Sequence, residues 1–70
     1  MNRINPRKLL GSKWTAVRPQ NKEKHFLVSQ IIKEEETIVA CVLEAVYSKN
    51  ETTLPWQDLQ NTNTWLFGWK

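Results

Sequence analysis

The side chains in this chain best suited to catalysis or metal binding are those of its one histidine, one cysteine and one aspartate. A nucleophilic pair of Cys41 and His25 would need both side chains in one accessible cleft, but Cys41 lies in the middle of the most apolar segment. The cysteine is therefore predicted to be buried and inert, and no catalytic residue is assigned. A metal site needs three or four Cys, His or carboxylate ligands at short spacings, and no such set occurs. No cofactor is expected, since Gly11 and Gly68 form no phosphate-binding loop.

Charge is distributed unevenly along the chain. Residues 1–24 contain seven Lys or Arg against Glu23 alone, a balance of +6, whereas residues 25–70 carry −3, for a net charge of +3. A basic segment attracts phosphates whatever their sequence. The charge indicates either an anionic partner such as nucleic acid or a solvated surface that keeps a small domain soluble.

In the segment 13–18 an aromatic residue is interleaved with basic ones, since Trp14 lies between Lys13 and Arg18. In single-strand binders such interleaving lets rings stack on bases while Lys and Arg hold phosphates. The residues assigned to ligand binding are Lys13, Trp14, Arg18 and Lys24. The alternative is that Trp14 belongs to the core and the basic residues merely flank it.

Aromatic residues also dominate the end of the chain. In the run 65–69, alternation places Trp65, Phe67 and Trp69 on one face of a strand. Buried, these rings would anchor a terminal strand; exposed, they would form an apolar patch that implies a protein partner or self-association. The residues assigned to a partner interface are Trp56, Trp65, Phe67 and Trp69.

Length and composition predict one domain over residues 1–70. A chain of 70 residues can build only a marginal core, and its four tryptophans offset that shortage. The single cysteine indicates a reducing, cytoplasmic setting. No apolar run suits a secretory signal or a transmembrane helix, so a soluble protein without membrane contact is expected.

Periodicity predicts a mainly β fold of about five strands. Strands are expected over 12–17, 25–32, 37–47, 51–54 and 65–69, with Pro19 ending the first, and short helical turns near residues 6–10 and 56–59. The segment 37–47 also fits a helix, because its apolar pairs recur every four residues, but its β-branched density favours a strand. The predicted architecture is a small curled antiparallel sheet or an SH3-like barrel.

Four segments of the chain are distinctive when taken together: Ser12–Val17, Leu43–Val46, Leu54–Leu59 and Trp65–Lys70. They resemble those of a family of small tryptophan-rich bacterial proteins of unknown function, and the resemblance extends over nearly the whole chain. It implies a stand-alone soluble bacterial protein. It implies no activity, cofactor or site residue.

The sequence as a whole predicts a non-enzymatic binding module. Its partner is expected to be a nucleic acid or another anion, contacted through the basic N-terminal third and exposed tryptophans. The alternative is a structural or accessory subunit that contacts a protein through the C-terminal aromatic strand. Oligomeric state is left open.

Overall fold

The computed structural model describes residues 1–70 and contains one five-stranded antiparallel sheet. The strands are β1 (Lys13–Gln20), β2 (Glu23–Glu34), β3 (Thr37–Ala45), β4 (Glu51–Pro55) and β5 (Trp65–Phe67). Two 3-10 turns, Pro6–Lys8 and Trp56–Gln60, precede β1 and β5. The strand order is β4-β3-β2-β1-β5, which leaves β4 and β5 at open edges. The predicted mainly β fold with two short helical turns is confirmed, and the sheet has the open form.

Tight turns join the first three strands. Asn21 and Lys22 connect β1 to β2 with φ values of 54° and 62°, and Glu35 and Glu36 connect β2 to β3 with 48° and 69°. Positive φ at both central residues defines a type I′ turn, whose twist suits a hairpin. Asparagine tolerates this conformation, but glutamate gains nothing from its side chain there. The turn at Glu35 and Glu36 is therefore held by the hairpin rather than favoured by its own residues.

Irregular pairing curls the sheet. Ser29 is an extra residue on β2 and Val39 an extra residue on β3, since the register shifts at both positions. Such bulges bend a strand and increase its twist. Thr52 on edge strand β4 and Trp65 on edge strand β5 consequently line the same cleft. In a flat sheet these strands would lie about 19 Å apart, given a strand spacing of about 4.8 Å.

One face of the curled sheet carries the core. Buried side chains from β1, β2 and β3 meet there with one leucine from each flanking turn region: Leu9, Trp14, Val28, Cys41, Leu43 and Leu59. The backbone ties the first turn region to the sheet, because the Gly11 amide donates to the Val28 carbonyl at 2.9 Å and the Val28 amide donates to the Ser12 carbonyl at 2.9 Å. Both turn regions therefore pack against the core face of the sheet.

Several predicted boundaries differ from the structure. Residues 37–45 form a strand, as preferred, but Val46 and Tyr47 belong to the turn that follows, where Tyr47 is 70% exposed. Pro19 lies within β1 and does not end it. This proline is tolerated because β1 leaves β2 after Thr15, so no β2 carbonyl requires an amide from Pro19.

The last strand is shorter than predicted. β5 ends at Phe67 because Gly68 adopts φ = 82°, a left-handed conformation that turns the chain. The prediction that Trp65, Phe67 and Trp69 share one face is therefore wrong for Trp69. Its ring crosses to the opposite face of the sheet, beside His25.

Candidate functional site

Cys41 and His25 lie too far apart to form a pair. Cys41 aligns with Ile31 on β2, whereas His25 lies six residues earlier on that strand, about 20 Å away at about 3.3 Å per residue. Cys41 is fully buried. Burial, and secondarily the negative charge of Asp58, raise the pKa of its thiol from 9.0 to about 11. The thiol is thus neutral and shielded at physiological pH, as the sequence predicts.

Four aromatic rings from three strands form one cluster. Trp14 on β1 is the cross-strand partner of Phe26 on β2 and of Phe67 on β5. The Trp14 and Phe67 rings meet edge to face with centroids 5.2 Å apart, and the Phe26 and Trp65 rings do the same at 5.2 Å. Edge-to-face geometry matches the positive edge of one ring to the negative face of another. We call Trp14, Phe26, Trp65 and Phe67 the aromatic cluster.

Exposure within the aromatic cluster is graded. Trp14 is 1% exposed, Phe26 and Trp65 are half-buried, and Phe67 is 59% exposed. The indole Nε1–H of Trp14 donates to Ser12 Oγ at 2.9 Å, which satisfies its one polar atom. The assignment of Trp14 as a ligand-stacking residue is therefore wrong, because its ring has no free face. The ring available for stacking at this position is that of Phe67.

A small cavity of about 190 Å³ opens beside Phe67. Two cations and several apolar groups line it: Arg3, Ile4, Asn5, Lys8, Leu9, Ser12, Trp14 and Phe67. Asn2 fixes the N-terminal segment here, since its side-chain amide donates to the carbonyls of Leu59 and Trp65, each at 2.8 Å. The fold thus places Arg3 and Lys8 around an exposed aromatic ring.

A larger cleft of about 810 Å³ opens beside Trp65. It exists because β1 leaves β2 after Thr15 and rejoins it only at Gln20. Its lining combines an apolar floor with a polar rim: Ala16, Val17, Arg18, Gln20, Glu23, Phe26, Leu43, Thr52, Thr62, Asn63, Thr64 and Trp65. Arg18 and Trp65, which the sequence assigns to separate sets, are brought together here.

The two charged side chains at the rim of this larger cleft differ in whether they have bonding partners. The Glu23 carboxylate accepts hydrogen bonds from Ser48 and, at 3.0 Å, from the Asn50 amide. The one ion pair in the protein joins Lys49 to Glu44 at 3.8 Å. The guanidinium of Arg18 is therefore unpaired and accessible to an anion.

Lys13 and Trp69 form a separate contact on the opposite face of the sheet. Lys13 Nζ lies 4.7 Å from the Trp69 ring centroid, a cation–π arrangement. The Trp69 indole donates to the Phe26 carbonyl at 3.0 Å, and its ring lies 5.9 Å from that of His25. Trp69 is 45% exposed but held on several sides. The indole beside Lys13 in space is thus Trp69 rather than its sequence neighbour Trp14.

A buried hydroxyl anchors the segment that carries Trp69. Thr15 is 2% exposed; its Oγ1 donates to the Gly68 carbonyl at 2.7 Å and accepts from the Lys70 amide at 2.9 Å. His25 Nε2 lies 3.0 Å from the Lys70 carbonyl oxygen. These bonds hold the chain after β5 against β1 and β2.

The remaining assigned residues lie away from both cavities. Lys24 is exposed on β2 and lines neither one. Trp56 is half-buried, packs against the core and donates its indole N–H to the Ile38 carbonyl at 3.0 Å. Trp56 therefore serves as a structural ring in this fold, whereas the sequence assigned it to a partner interface.

Three of the basic and aromatic residues that line the cavities were not assigned from the sequence: Arg3, Lys8 and Phe26. Arg3 and Lys8 belong to the basic N-terminal third, so the charge asymmetry pointed to their region but not to their position. Phe26 lies in the predicted strand 25–32, but the pattern of that segment gave no sign of a cleft. Their grouping depends on contacts between distant parts of the chain.

Fold and surface together define a class of protein. It is a small, mainly β protein built on one antiparallel sheet, in which a cluster of large aromatic rings joins three strands. The structure contains no helix with the length and hydrophobicity needed to cross a membrane.

Comparison with known families agrees with this class. The chain belongs to the tryptophan-rich protein family DUF2389, a family of unknown function whose model matches residues 12–70. The predicted resemblance to a tryptophan-rich family is thus confirmed, and its bacterial origin stays a prediction. Searches of curated proteins and of solved structures gave no match.

Proposed function

We propose that this protein is a small non-enzymatic module that binds single-stranded nucleic acid at the edge of its sheet. The observation that carries the proposal is Phe67, a ring 59% exposed in the wall of a cavity that also contains Arg3 and Lys8. Bases of any sequence stack on such rings, and neighbouring cations hold the phosphates. The basic N-terminal third thus supplies the charge, as the sequence indicates, but a phenylalanine replaces Trp14 as the stacking residue.

Phe67 is suited to base stacking because its ring packs against a fixed neighbour. Its ring rests edge to face against Trp14, which is itself locked by core packing and by Ser12. A preorganised ring loses little conformational entropy when a base stacks on it. Arg3 is held near this ring because Asn2 is bonded to Leu59 and Trp65. The arrangement therefore exists before any ligand arrives.

The proposal is tested by titrating the isotope-labelled protein with an oligothymidylate of about six nucleotides, at an ionic strength of about 0.15 M. The Trp14 indole N–H is a natural reporter, because its acceptor Ser12 lines the same cavity as Phe67. We expect this signal to shift saturably with the single strand and to shift less with a duplex of the same length. A spectrum unchanged by either nucleic acid contradicts the proposal.

Matched variants sharpen this test. Phe67→Leu removes the ring but keeps an apolar side chain, and should weaken binding about 5- to 150-fold, the equivalent of about 1–3 kcal/mol for one stacked base. Lys8→Gln should also weaken binding. Lys33→Gln removes the same charge from the far end of β2, beside the glutamates, and should leave affinity nearly unchanged. Equal effects of the two lysine changes would show that the nucleic acid responds to the overall charge of the protein and does not bind in this cavity.

A second function is favoured by the opposite face of the sheet. Leu66 is 38% exposed there and is the cross-strand partner of the buried Thr15. We propose as the alternative that Leu66 and Trp69 contact a protein. Sedimentation of wild type and Leu66→Ser over a range of concentrations tests for self-association. Identical monomeric behaviour of both would remove a second copy of the chain as that protein.

We also propose an SH3-like arrangement of the sheet and a cytoplasmic location. The strand order, together with the 3-10 turn between β4 and β5, supports an SH3-like arrangement of the curled sheet. The free, buried thiol of Cys41 supports a cytoplasmic location.

A further inference from the structure

We infer that the larger cleft beside Trp65 is a second nucleotide pocket, so that two successive nucleotides bind along β5, one at Phe67 and the next at Trp65. The inference rests on the proposed function and extends it to the length and position of the bound strand. Three features carry it: the spacing of the Trp65 and Phe67 rings, the volume of the larger cleft and the unpaired guanidinium of Arg18 at its rim.

The spacing comes from strand geometry. Trp65 and Phe67 are cross-strand partners of Ala16 and Trp14, so both side chains lie on the same face of the sheet. Residues two apart on a strand are separated by about 6.6–6.8 Å. Each ring is backed by a different aromatic neighbour, Phe26 for Trp65 and Trp14 for Phe67. Two adjacent platforms of this kind suit successive bases of one strand.

The larger cleft supplies the remaining groups that a nucleotide requires. Its volume of about 810 Å³ lies within the range of about 300–1,000 Å³ usual for small-molecule sites. Trp65 and Phe26 form apolar walls, and Thr62, Asn63 and Thr64 offer hydroxyl and amide groups to the edge of a base. The unpaired guanidinium of Arg18 is suited to bidentate contact with a phosphate.

The fold also limits the row to two rings. Before Trp65 the chain is the polar turn of residues 61–64, and after Phe67 the left-handed Gly68 sends Trp69 to the opposite face. No third ring continues the row on this face. Affinity should therefore rise with the second nucleotide and change little beyond it.

The inference is tested by measuring the binding of thymidylates of one, two, three and four nucleotides to three proteins: wild type, Arg18→Gln and the matched control Lys22→Gln. Lys22 is an exposed basic residue of the β1–β2 turn. For wild type and the control, affinity should rise at least about five-fold from one to two nucleotides. Arg18→Gln should lose this rise while keeping the affinity for one nucleotide. The Trp65 indole signal should shift with two nucleotides and not with one.

The outcomes separate the two proposals. If affinity depends on Phe67 but is the same for all four lengths, or if Arg18→Gln keeps the rise, the second pocket is excluded while the proposed function stands. If no oligonucleotide of any length binds, the proposed function fails and this inference fails with it. Circular dichroism of each variant, which should match wild type, shows that the fold is retained.

Discussion

Trp14 and Phe67 are cross-strand partners whose rings meet edge to face at 5.2 Å, yet one is 1% exposed and the other 59%. The buried ring belongs to the core and the exposed ring to the surface, so a single aromatic contact connects the stability of the fold to its proposed binding site.

The first prediction concerns that division. Trp14→Ala should destabilise the protein by about 3–5 kcal/mol, because it leaves a large cavity in a small core. Phe67→Leu should cost less than about 1 kcal/mol, since most of that ring already faces solvent. Urea denaturation measures both changes. A larger loss for Phe67→Leu than for Trp14→Ala would contradict the assignment of the two rings.

The second prediction concerns the turn between β2 and β3. Replacing Glu35 and Glu36 by Asn and Gly should stabilise the protein by about 1–2 kcal/mol, because Asn-Gly favours the positive φ values of a type I′ turn. For a domain of this size that gain corresponds to about 4–8 °C in Tm per kcal/mol. Glu34→Gln, which alters charge but lies outside the turn, is the control. A fall in Tm for the double variant would show that the turn has another form.

The third prediction concerns Thr15. Thr15→Val keeps the shape of the side chain but removes the hydroxyl that bonds Gly68 and Lys70. We expect a loss of about 1–3 kcal/mol, from about 0.5–1.5 kcal/mol per hydrogen bond, and faster hydrogen exchange at the Lys70 amide and the Trp69 indole. Thr53→Val on the exposed edge of β4 is the matched control. Unchanged exchange at both positions would mean that Thr15 does not anchor the segment.

The fourth prediction concerns the pH dependence of stability. The pKa of Cys41 is raised from 9.0 to about 11 in the folded state by burial and, secondarily, by Asp58. The folded state therefore holds this proton more tightly, so the contribution is fully present below pH 9 and is lost as pH rises toward 11. The loss should reach about 2–3 kcal/mol, at about 1.4 kcal/mol per pKa unit.

Cys41→Ala provides the control for this measurement. Other groups titrate over the same range in both proteins, so the difference between their denaturation curves isolates the thiol. The variant should lack the extra loss of stability between pH 9 and 11, although it will be less stable at neutral pH because of the cavity. Parallel pH profiles would show that the thiol is not shielded.

The fifth prediction concerns the salt dependence of binding to single-stranded nucleic acid. With phosphates held by Arg3, Lys8 and Arg18, a plot of log K against log salt should have a slope of about −2, at about −0.7 per phosphate. Lys8→Gln should reduce the slope to about −1.4, and Lys33→Gln should not change it. A slope unaffected by Lys8→Gln would place the phosphates elsewhere on the protein.

The strands were predicted well because the preference of a segment for an extended backbone depends mainly on its own residues. The β-branched residues of 37–45 favour an extended chain over a helix, and β3 forms there. The identity of the turn residues was less informative: Glu35 and Glu36 have no preference for positive φ, so their two-residue turn follows from the pairing of β2 with β3. Boundaries failed where tertiary pairing decided them, as at Pro19 in β1.

The site was harder to predict because it is assembled from distant segments. The sequence places Lys13 next to Trp14, yet alternation along a strand sends neighbouring side chains to opposite faces, and Lys13 meets Trp69. Arg18 and Trp65 line one cleft although they are far apart in the sequence. No spacing rule could have indicated either contact.

The sequence by itself determined the class of fold, the membership of a tryptophan-rich family, the inert cysteine and the basic character of the N-terminal third. These properties depend on composition and on short-range alternation, which a chain carries before it folds. Only the tertiary structure decided which rings are buried and which cations lie beside them. Burial depends on how β1 separates from β2 and how Gly68 turns the chain after β5, and both result from the packing of the sheet as a whole.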